Sequence, residues 1–274
     1  GAGQGSLARG TASDWQGGRE PLMAGVLEVR DLSKSFDGIV VASHIDLTLK
    51  SGSIVGLIGP NGAGKTSLFN LISGVVKFDS GTVLLDGSPL DRLKFHQRVR
   101  GGLSRTWQHT RLFPSLPVID NLLIATHDYP GERLVNVLFG RRRLKAHDSV
   151  ARDKAVGILG KMGLANVADD LVSDLPYGQQ KLVGVARALM GDAKCLLLDE
   201  PMAGVEKQAY AAMQRVVREV AESGVAVCVV EHNIAFIRDL CDEGVFMFSG
   251  AIMARGSVAE LIRDPQLTEL YFGH

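Results

Sequence analysis

The first apolar segments of the chain are short and favour β-strands. The run VLEVRDL at 26–32 predicts one strand, and the apolar run at 53–59 ends in glycine, which is typical of a buried parallel strand. Another strand, followed by a turn, is predicted at 82–87. Between the first two runs, alternate positions are apolar and predict a half-buried strand; these positions are Ile45, Leu47 and Leu49.

The pattern becomes helical between about 117 and 190. Apolar residues there recur every three or four positions, and Gly163 suits a C-terminal helix cap. The residues at helical spacing are Ala151, Ala155, Ile158, Leu159 and Met162. Because no strong strand pattern interrupts this stretch, we expect a helical insertion.

Strand patterns return after residue 190. Apolar runs at 195–198 and 225–230 predict two buried strands, and Gly224 is expected to end the helix between them. The apolar positions of that helix are Tyr210, Met213, Val217 and Val220. Alternation of strand, helix and strand predicts an α/β fold in which helices cover a parallel sheet.

Composition and charge limit the possible functions. The 274 residues include 30 Lys and Arg and 30 Asp and Glu, so overall charge does not indicate a nucleic-acid partner. No apolar run approaches the roughly 18 residues needed to cross a bilayer, so we expect another chain to supply any membrane span. Residues 1–24 are rich in Gly, Ser and Ala, and we interpret them as a flexible extension or tag remnant.

A complete phosphate-binding pattern, G-x-x-x-x-G-K-[ST], occupies residues 59–66. It follows an apolar strand and precedes a helix-compatible segment, as the pattern requires. Glycines let backbone N–H groups converge on phosphate oxygens, Lys65 can reach the β- and γ-phosphates, and Thr66 can ligate Mg²⁺. A glycine-rich turn with a surface lysine is the alternative. The candidate nucleotide-binding residues are Gly59, Pro60, Asn61, Gly62, Ala63, Gly64, Lys65, Thr66 and Ser67.

An acidic pair, Asp199 and Glu200, ends the apolar run at 195–198. Ligands of open parallel sheets bind at the carboxyl ends of the strands, where this pair is expected to lie. Asp199 is the candidate for a second Mg²⁺ contact, and Glu200 can orient or deprotonate an attacking water. By itself, a solvated acidic pair at a strand end is the simpler interpretation, but the phosphate-binding pattern favours the site.

Taken together, these motifs resemble those of the ATP-binding cassette (ABC) ATPases over about residues 25–273. The likeness rests on the phosphate-binding loop, Gln108 in RTWQ, LPYGQ at 175–179, LLLDEP at 196–201 and His232 in VVEHN, in the family's order. It implies a P-loop NTPase fold, with a RecA-like parallel core, an antiparallel N-terminal β-subdomain and an inserted helical subdomain. The implied ATP-binding core is formed by residues 25–108 and 191–274, and the helical subdomain by 109–190.

The resemblance also implies roles for individual residues, with ATP and Mg²⁺ as cofactors. LPYGQ matches the signature loop, which closes over the ATP held by a second cassette; its residues are Leu175, Pro176, Tyr177, Gly178 and Gln179. Phe36 would stack on adenine, Gln108 would sense Mg²⁺, and His232 would contact the γ-phosphate. The alternatives are a strand-end core phenylalanine, an exposed structural glutamine and a satisfied core or helix-start histidine.

Two positions depart from the family pattern. The family usually has Ser at the position of Pro176, and proline offers neither a hydroxyl nor an N–H, although it is tolerated in the first helical turn. The loop after the acidic pair usually contains Asp where this chain has Glu206. The first change is expected to remove one hydrogen bond to a partner's γ-phosphate, and the second affects communication between two sites.

The segment 105–127, Tyr177 and the tail at 263–273 resemble the branched-chain amino-acid importer subfamily, and also its urea and short-amide importers. This implies an ATPase subunit that works with a second cassette, transmembrane permease subunits and an extracytoplasmic solute-binding protein, without nucleic acid. It would lie peripherally at the cytoplasmic face of the membrane. The alternatives are the ATPase of lipopolysaccharide export and a soluble ABC protein acting in DNA repair or on ribosomes.

Overall fold

The computed structural model of the chain describes residues 26–106, 112–126, 141–205 and 209–272. The expected N-terminal extension at 1–24 lies outside these residues, and so do Gln108 and Glu206. Within the described ranges the strands are β1 (Leu27–Phe36), β2 (Ile39–Leu49), β3 (Ile54–Ile58), β4 (Ser80–Leu85), β5 (Ser88–Pro89), β6 (Leu103–Arg105), β7 (Cys195–Asp199), β8 (Ala226–Val230), β9 (Glu243–Phe248) and β10 (Ala251–Gly256). The helices are α1 (Lys65–Ser73), α2 (Phe95–Arg100), α3 (Val118–Leu123), α4 (Arg141–Lys161), α5 (Tyr177–Leu189), α6 (Tyr210–Glu222), α7 (Ile234–Leu240), α8 (Val258–Arg263) and α9 (Pro265–Phe272).

The smaller sheet is antiparallel and has the strand order β2–β1–β4–β5 in the described part of the chain. β1 lies inside it, since Leu27 pairs with Leu49 of β2 on one side and with Leu85 of β4 on the other. The apolar face predicted for β2 is confirmed, because Ile45, Leu47 and Leu49 are all buried; Asp46 is exposed, but Thr48 is buried as well.

The larger sheet contains most of the predicted buried strands. Among the described residues its order is β10–β9–β3–β8–β7–β6, and all neighbours are parallel except β10 against β9. The phosphate-binding loop follows β3, Asp199 ends β7, and His232 lies two residues after β8. Because the carboxyl ends of parallel strands lie at one edge of a sheet, this topology brings these three segments together.

The pleat of the larger sheet divides the apolar core into two layers. In β7, Leu197 packs with residues of the smaller sheet and α1, whereas Leu196 and Leu198 join the cluster on the opposite face. Helices α3, α5, α6 and α7 contribute to that second cluster. The α/β prediction is therefore confirmed, with helices on a mainly parallel sheet and an antiparallel sheet packed against it.

The described part of the stretch from 117 to 190 contains helices joined by turns, as the prediction of a helical insertion requires. Helices α3, α4 and α5 contact one another, and the described residues there contain no strand, only one isolated bridge between Pro117 and Leu171. Gly163 has φ of +68°, which fits the predicted cap after α4. Three strands of the larger sheet were not predicted from the sequence, namely β6, β9 and β10.

Candidate active site

The phosphate-binding loop is pressed against two neighbouring strands, and glycine is required at the contacts. A Cβ added at Gly59 would lie 2.1 Å from the carbonyl oxygen of Met247 in β9. At Gly64, where φ is +101°, it would lie 2.5 Å from the carbonyl oxygen of Val41 in β2. The backbone N–H of Gly250 also donates to the carbonyl of Ala63 at 2.9 Å. The loop is thus held between the two sheets, with its shape set by backbone contacts.

Lys65 begins helix α1 and turns back over the loop. Its ammonium is buried and donates to the carbonyl oxygens of Gly59 and Pro60, at 2.6 and 2.8 Å. Burial lowers the pKa of this ammonium, while the negative charges of Glu200 and Asp199 favour its charged form. The lysine therefore contacts the loop and also interacts electrostatically with the acidic pair.

The start of α1 is suited to an anion. Gly64 is the N-cap residue, and no described side chain caps the N–H groups of the first turn. Thr66 is exposed and Ser67 half-buried in that turn. Uncapped N–H groups and the partial positive charge of a helix N-terminus favour phosphate binding. Of the remaining loop positions, Asn61 and Gly62 are exposed and Ala63 is buried.

Asp199 is a buried carboxylate whose two oxygens have different surroundings. Its Oδ2 accepts a hydrogen bond from Nη2 of Arg105 at 2.7 Å, and the two side chains are only 2% and 1% exposed. Its Oδ1 is also buried, and it has no hydrogen-bond partner among the described residues. Buried carboxylate oxygens are normally satisfied, so an oxygen of this kind beside a phosphate-binding loop fits a cation or its bound water.

Glu200 and His232 lie on the side of the site that is nearer the solvent. Nε2 of His232 lies 2.8 Å from Oε1 of Glu200, and the side chains are 42% and 14% exposed. Glu200 has φ of +48°, and its N–H donates to the carbonyl of Val230 at 2.9 Å. A non-glycine residue in the left-handed region is strained, and such residues occur frequently at functional sites.

Glu231 is a buried carboxylate that supports the site, and the sequence motifs did not predict this role. It is buried and accepts the N–H groups of Met202 and His232, at 2.6 and 3.0 Å. Burial raises the pKa of its carboxyl, an effect that these N–H donors oppose. Glu231 therefore connects the segment after Glu200 to the segment that presents His232. An acidic residue at the end of a fully apolar strand was the available signal.

The signature loop, residues 175–179, borders a groove that the described residues of the phosphate-binding loop do not line. Pro176 is the N-cap residue of α5, Leu175 is buried, and Tyr177 is partly exposed. The ring of Tyr177 packs on Gly204, where an added Cβ would come within 3.1 Å. The groove is lined by residues 176–179 and 182, by residues 162–164 just after α4, by Gly204, and by residues at and within the start of α6; none of its described lining residues belongs to the phosphate-binding loop.

Phe36 lies at the end of β1 and is 45% exposed, with the ammonium of Lys34 4.9 Å from the centre of its ring. An exposed aromatic ring is available for stacking, so the strand-end core interpretation does not apply.

Gln108 and Glu206 lie outside the described residues, and their roles stay predictions. The geometry thus brings Lys65, Asp199, Glu200 and His232 together, whereas the signature loop lines a groove to which none of these four residues contributes.

Comparison with protein families and known proteins identifies the family of the chain. The family model described as "ABC transporter" matches residues 42–203. A probable branched-chain amino acid transport ATP-binding protein LivG of Archaeoglobus fulgidus is 35% identical over 248 residues, covering 90% of this chain and 95% of the relative. The lipopolysaccharide export system ATP-binding protein LptB of Haemophilus influenzae is 31% identical, covering 90% and 97%.

Among solved structures, the ADP conformation of MJ1267, an ATP-binding cassette of an ABC transporter, has a TM-score of 0.79 and 28% identity. The alignment covers 92% of this chain and all of that one. The chain therefore belongs to the ABC transporter family and is an ATP-binding ATPase of the ABC fold. ATPase subunits of this family dimerise and work with transmembrane permease components. No helix in the described parts of the chain combines the length and apolarity needed to span a bilayer.

The contact between Gly64 and Val41 can be tested with a matched pair of alanine substitutions. Gly62→Ala places a side chain at φ +79° but meets no described atom within 4 Å, so we expect it to cost only about 1–2 kcal/mol of backbone strain. Gly64→Ala adds the backbone clash and should lower the free energy of unfolding by about 3 kcal/mol or more. Urea unfolding without nucleotide measures both; equal losses would contradict the proposed contact.

Proposed function

We propose that this chain is the ATP-hydrolysing subunit of an importer for branched-chain amino acids or related small amides. The hydrolytic part is supported chiefly by the Glu200–His232 pair beside the phosphate-binding loop and Asp199. The import part is supported by the 35% identical LivG relative and by the subfamily resemblance of segment 105–127. The LptB relative, at 31% identity, keeps lipopolysaccharide export as the second candidate.

ATP would bind with its phosphates over the N-terminus of α1. Backbone N–H groups of residues 61–67 would bind the phosphate oxygens, and Lys65 would exchange its loop carbonyl partners for the β- and γ-phosphates. Phe36 would stack on adenine, since its ring is exposed at the hairpin end near the loop.

The residues present fit a magnesium ion in the same site. Thr66 and Asp199 would hold it, with Gln108 as a further contact, and the ion would neutralise charge on the phosphate oxygens. The buried Oδ1 of Asp199, which has no partner among the residues that the structure describes, supports this assignment. Magnesium in nucleotide sites is usually held by one or two carboxylates and the phosphates rather than by a full protein cage. Correspondingly, the described residues include no group of three or more His, Cys, Asp or Glu side chains that could hold a metal.

Glu200 is proposed as the general base. It would take a proton from a water molecule while the water oxygen attacks the γ-phosphorus and the bond to the β–γ bridging oxygen breaks, giving ADP and phosphate. His232, 2.8 Å from the Glu200 carboxylate, would orient that carboxylate and contact the γ-phosphate. Glu231 would keep His232 in place by accepting its backbone N–H.

The complete site is proposed to need a second cassette, identical or related. The signature loop of one chain would close over the ATP of the other, which agrees with its separation from the chain's own phosphate-binding loop. Because Pro176 has no hydroxyl, the N–H groups in the first turn of α5 and the dipole of that helix would bind the γ-phosphate.

The proposed division is an ATP-binding core at 25–108 and 191–274 and a helical subdomain at 109–190. The surface around 109–125 would receive the permease, placing the chain peripherally at the cytoplasmic face of the membrane. An extracytoplasmic solute-binding protein would deliver the solute, and no nucleic acid is involved. The exposed side chains of Phe113 and Ile124 in this region support a protein contact there.

Glu200→Gln is expected to separate ATP binding from hydrolysis. The amide keeps the size of the side chain but cannot accept the proton of water, so turnover should fall by about 10²–10⁴-fold while ATP still binds. Gel filtration with ATP and Mg²⁺ should then detect a stable dimer. Lys65→Ala, which removes the phosphate contact, serves as the control that loses ATP affinity. Wild-type turnover in Glu200→Gln would exclude Glu200 as the base.

The solute assignment can be tested with the permease that co-purifies with this chain. Reconstituted in liposomes with a solute-binding protein, the complex should take up labelled leucine or a short amide only with ATP, and the same complex with Glu200→Gln should not. Co-purification with a lipopolysaccharide-extracting permease would support the second candidate instead. Association with soluble machinery alone would contradict a transport function.

A further inference from the structure

We propose that Arg105 is a positioning residue of the magnesium site, fixing the Asp199 carboxylate so that Oδ2 is engaged and Oδ1 stays available to the ion. The inference rests on the proposed role of Asp199 as a magnesium contact. It adds a residue of β6 to a site otherwise built from the ends of β3, β7 and β8. Arg105 would not touch ATP; it would act on the ion through Asp199.

The guanidinium of Arg105 joins two elements of the site. Nη2 donates to Oδ2 of Asp199 at 2.7 Å, while Nη1 donates to Oδ1 of Asn70 at 2.8 Å and to Oγ of Ser73 at 3.1 Å. Asn70 and Ser73 are in α1, the helix that begins at the phosphate-binding loop. The planar guanidinium thus fixes the end of β7 relative to this helix, and a lysine ammonium could not reproduce all three directions.

Burial makes this orientation strict. The Arg105 and Asp199 side chains are 1% and 2% exposed, and the Phe69 ring lies with its centre 5.6 Å from the guanidinium carbon. A buried ion pair of this kind adds little net stability, because both charges are removed from water. Removing one partner is nevertheless strongly unfavourable, since it leaves the other charge buried and unpaired. With Oδ2 fixed, rotation of the carboxylate would break the ion pair, so Oδ1 keeps one direction.

The neighbouring residue strengthens the same junction. The N–H of Thr106 donates to the carbonyl of Leu197 at 2.9 Å, and the N–H of Asp199 lies 3.4 Å from Oγ1 of Thr106. The end of β6 is therefore aligned with the end of β7, and Arg105 is held where its side chain meets Asp199. This arrangement is typical of outer residues that orient metal ligands.

Arg98 provides a matched control. It is also a buried arginine bound to α1, where Nη1 donates to the carbonyl of Ile72 at 2.7 Å and to that of Leu71 at 3.2 Å. Its Nε donates to the carbonyl of Leu93 at 3.0 Å. Since these partners are backbone carbonyls, removing Arg98 should disturb the same helix without releasing the Asp199 carboxylate.

The test compares Arg105→Met, Arg105→Lys and Arg98→Met by equilibrium binding of a fluorescent ATP analogue, first in EDTA and then with increasing Mg²⁺ or Mn²⁺. We expect both Arg105 variants to need about 10–100 times more cation for the same gain in affinity, with binding in EDTA changed much less. Arg98→Met should retain the wild-type cation dependence, although its urea unfolding midpoint falls.

Each outcome separates this inference from the proposed site. Wild-type cation dependence in a folded Arg105 variant would overturn the inference, and so would an equal loss in Arg98→Met. Should Arg105→Met fail to fold, Arg105→Lys keeps the buried charge and decides the question alone. If ATP affinity of the wild-type chain itself does not respond to Mg²⁺ or Mn²⁺, the proposed magnesium site fails rather than the role of Arg105.

Discussion

The close approach of the phosphate-binding loop to two backbone carbonyls constrains the rest of the site. Gly59 touches Met247 of the larger sheet, and Gly64 touches Val41 of the smaller one, so the loop depends on how the two sheets pack. The same packing sets the start of helix α1 and the position of Lys65. The antiparallel sheet is consequently part of the nucleotide site, because it forms one wall of the loop.

Buried charge determines how the remaining site residues are held. The Arg105–Asp199 pair and the Glu231 carboxylate are buried, where an unpaired charge would be strongly unfavourable. Each of these charges therefore has a polar partner at hydrogen-bond distance, and that partner fixes its orientation. His232 is exposed and Glu200 is partly exposed, and these two side chains contact each other nearer the solvent. A buried layer of fixed charges that supports a more accessible pair agrees with the catalytic roles proposed for Glu200 and His232.

Much of the fold could be predicted because β3 and β8 are short apolar runs, because β7 is apolar up to Asp199, and because the phosphate-binding pattern is specific. The strand β6 was missed, since LSR is short and polar and becomes a strand only by pairing with β7. The contact of Arg105 with Asp199 spans 94 positions, and no local pattern indicates it. The roles of Gln108 and Glu206 stay predictions, because both residues lie outside the described part of the chain. The pairing of the signature loop with a second chain also stays a prediction, because it requires a partner.

The most direct measurement is a crystal structure of the chain with a non-hydrolysable ATP analogue and Mn²⁺, with the cation located from its anomalous signal. We expect one strong peak between Thr66 and Asp199, with the terminal phosphate beside Lys65 and the ammonium released from the carbonyls of Gly59 and Pro60. A triphosphate bound away from residues 59–66, or a cation peak distant from Asp199, would contradict the account.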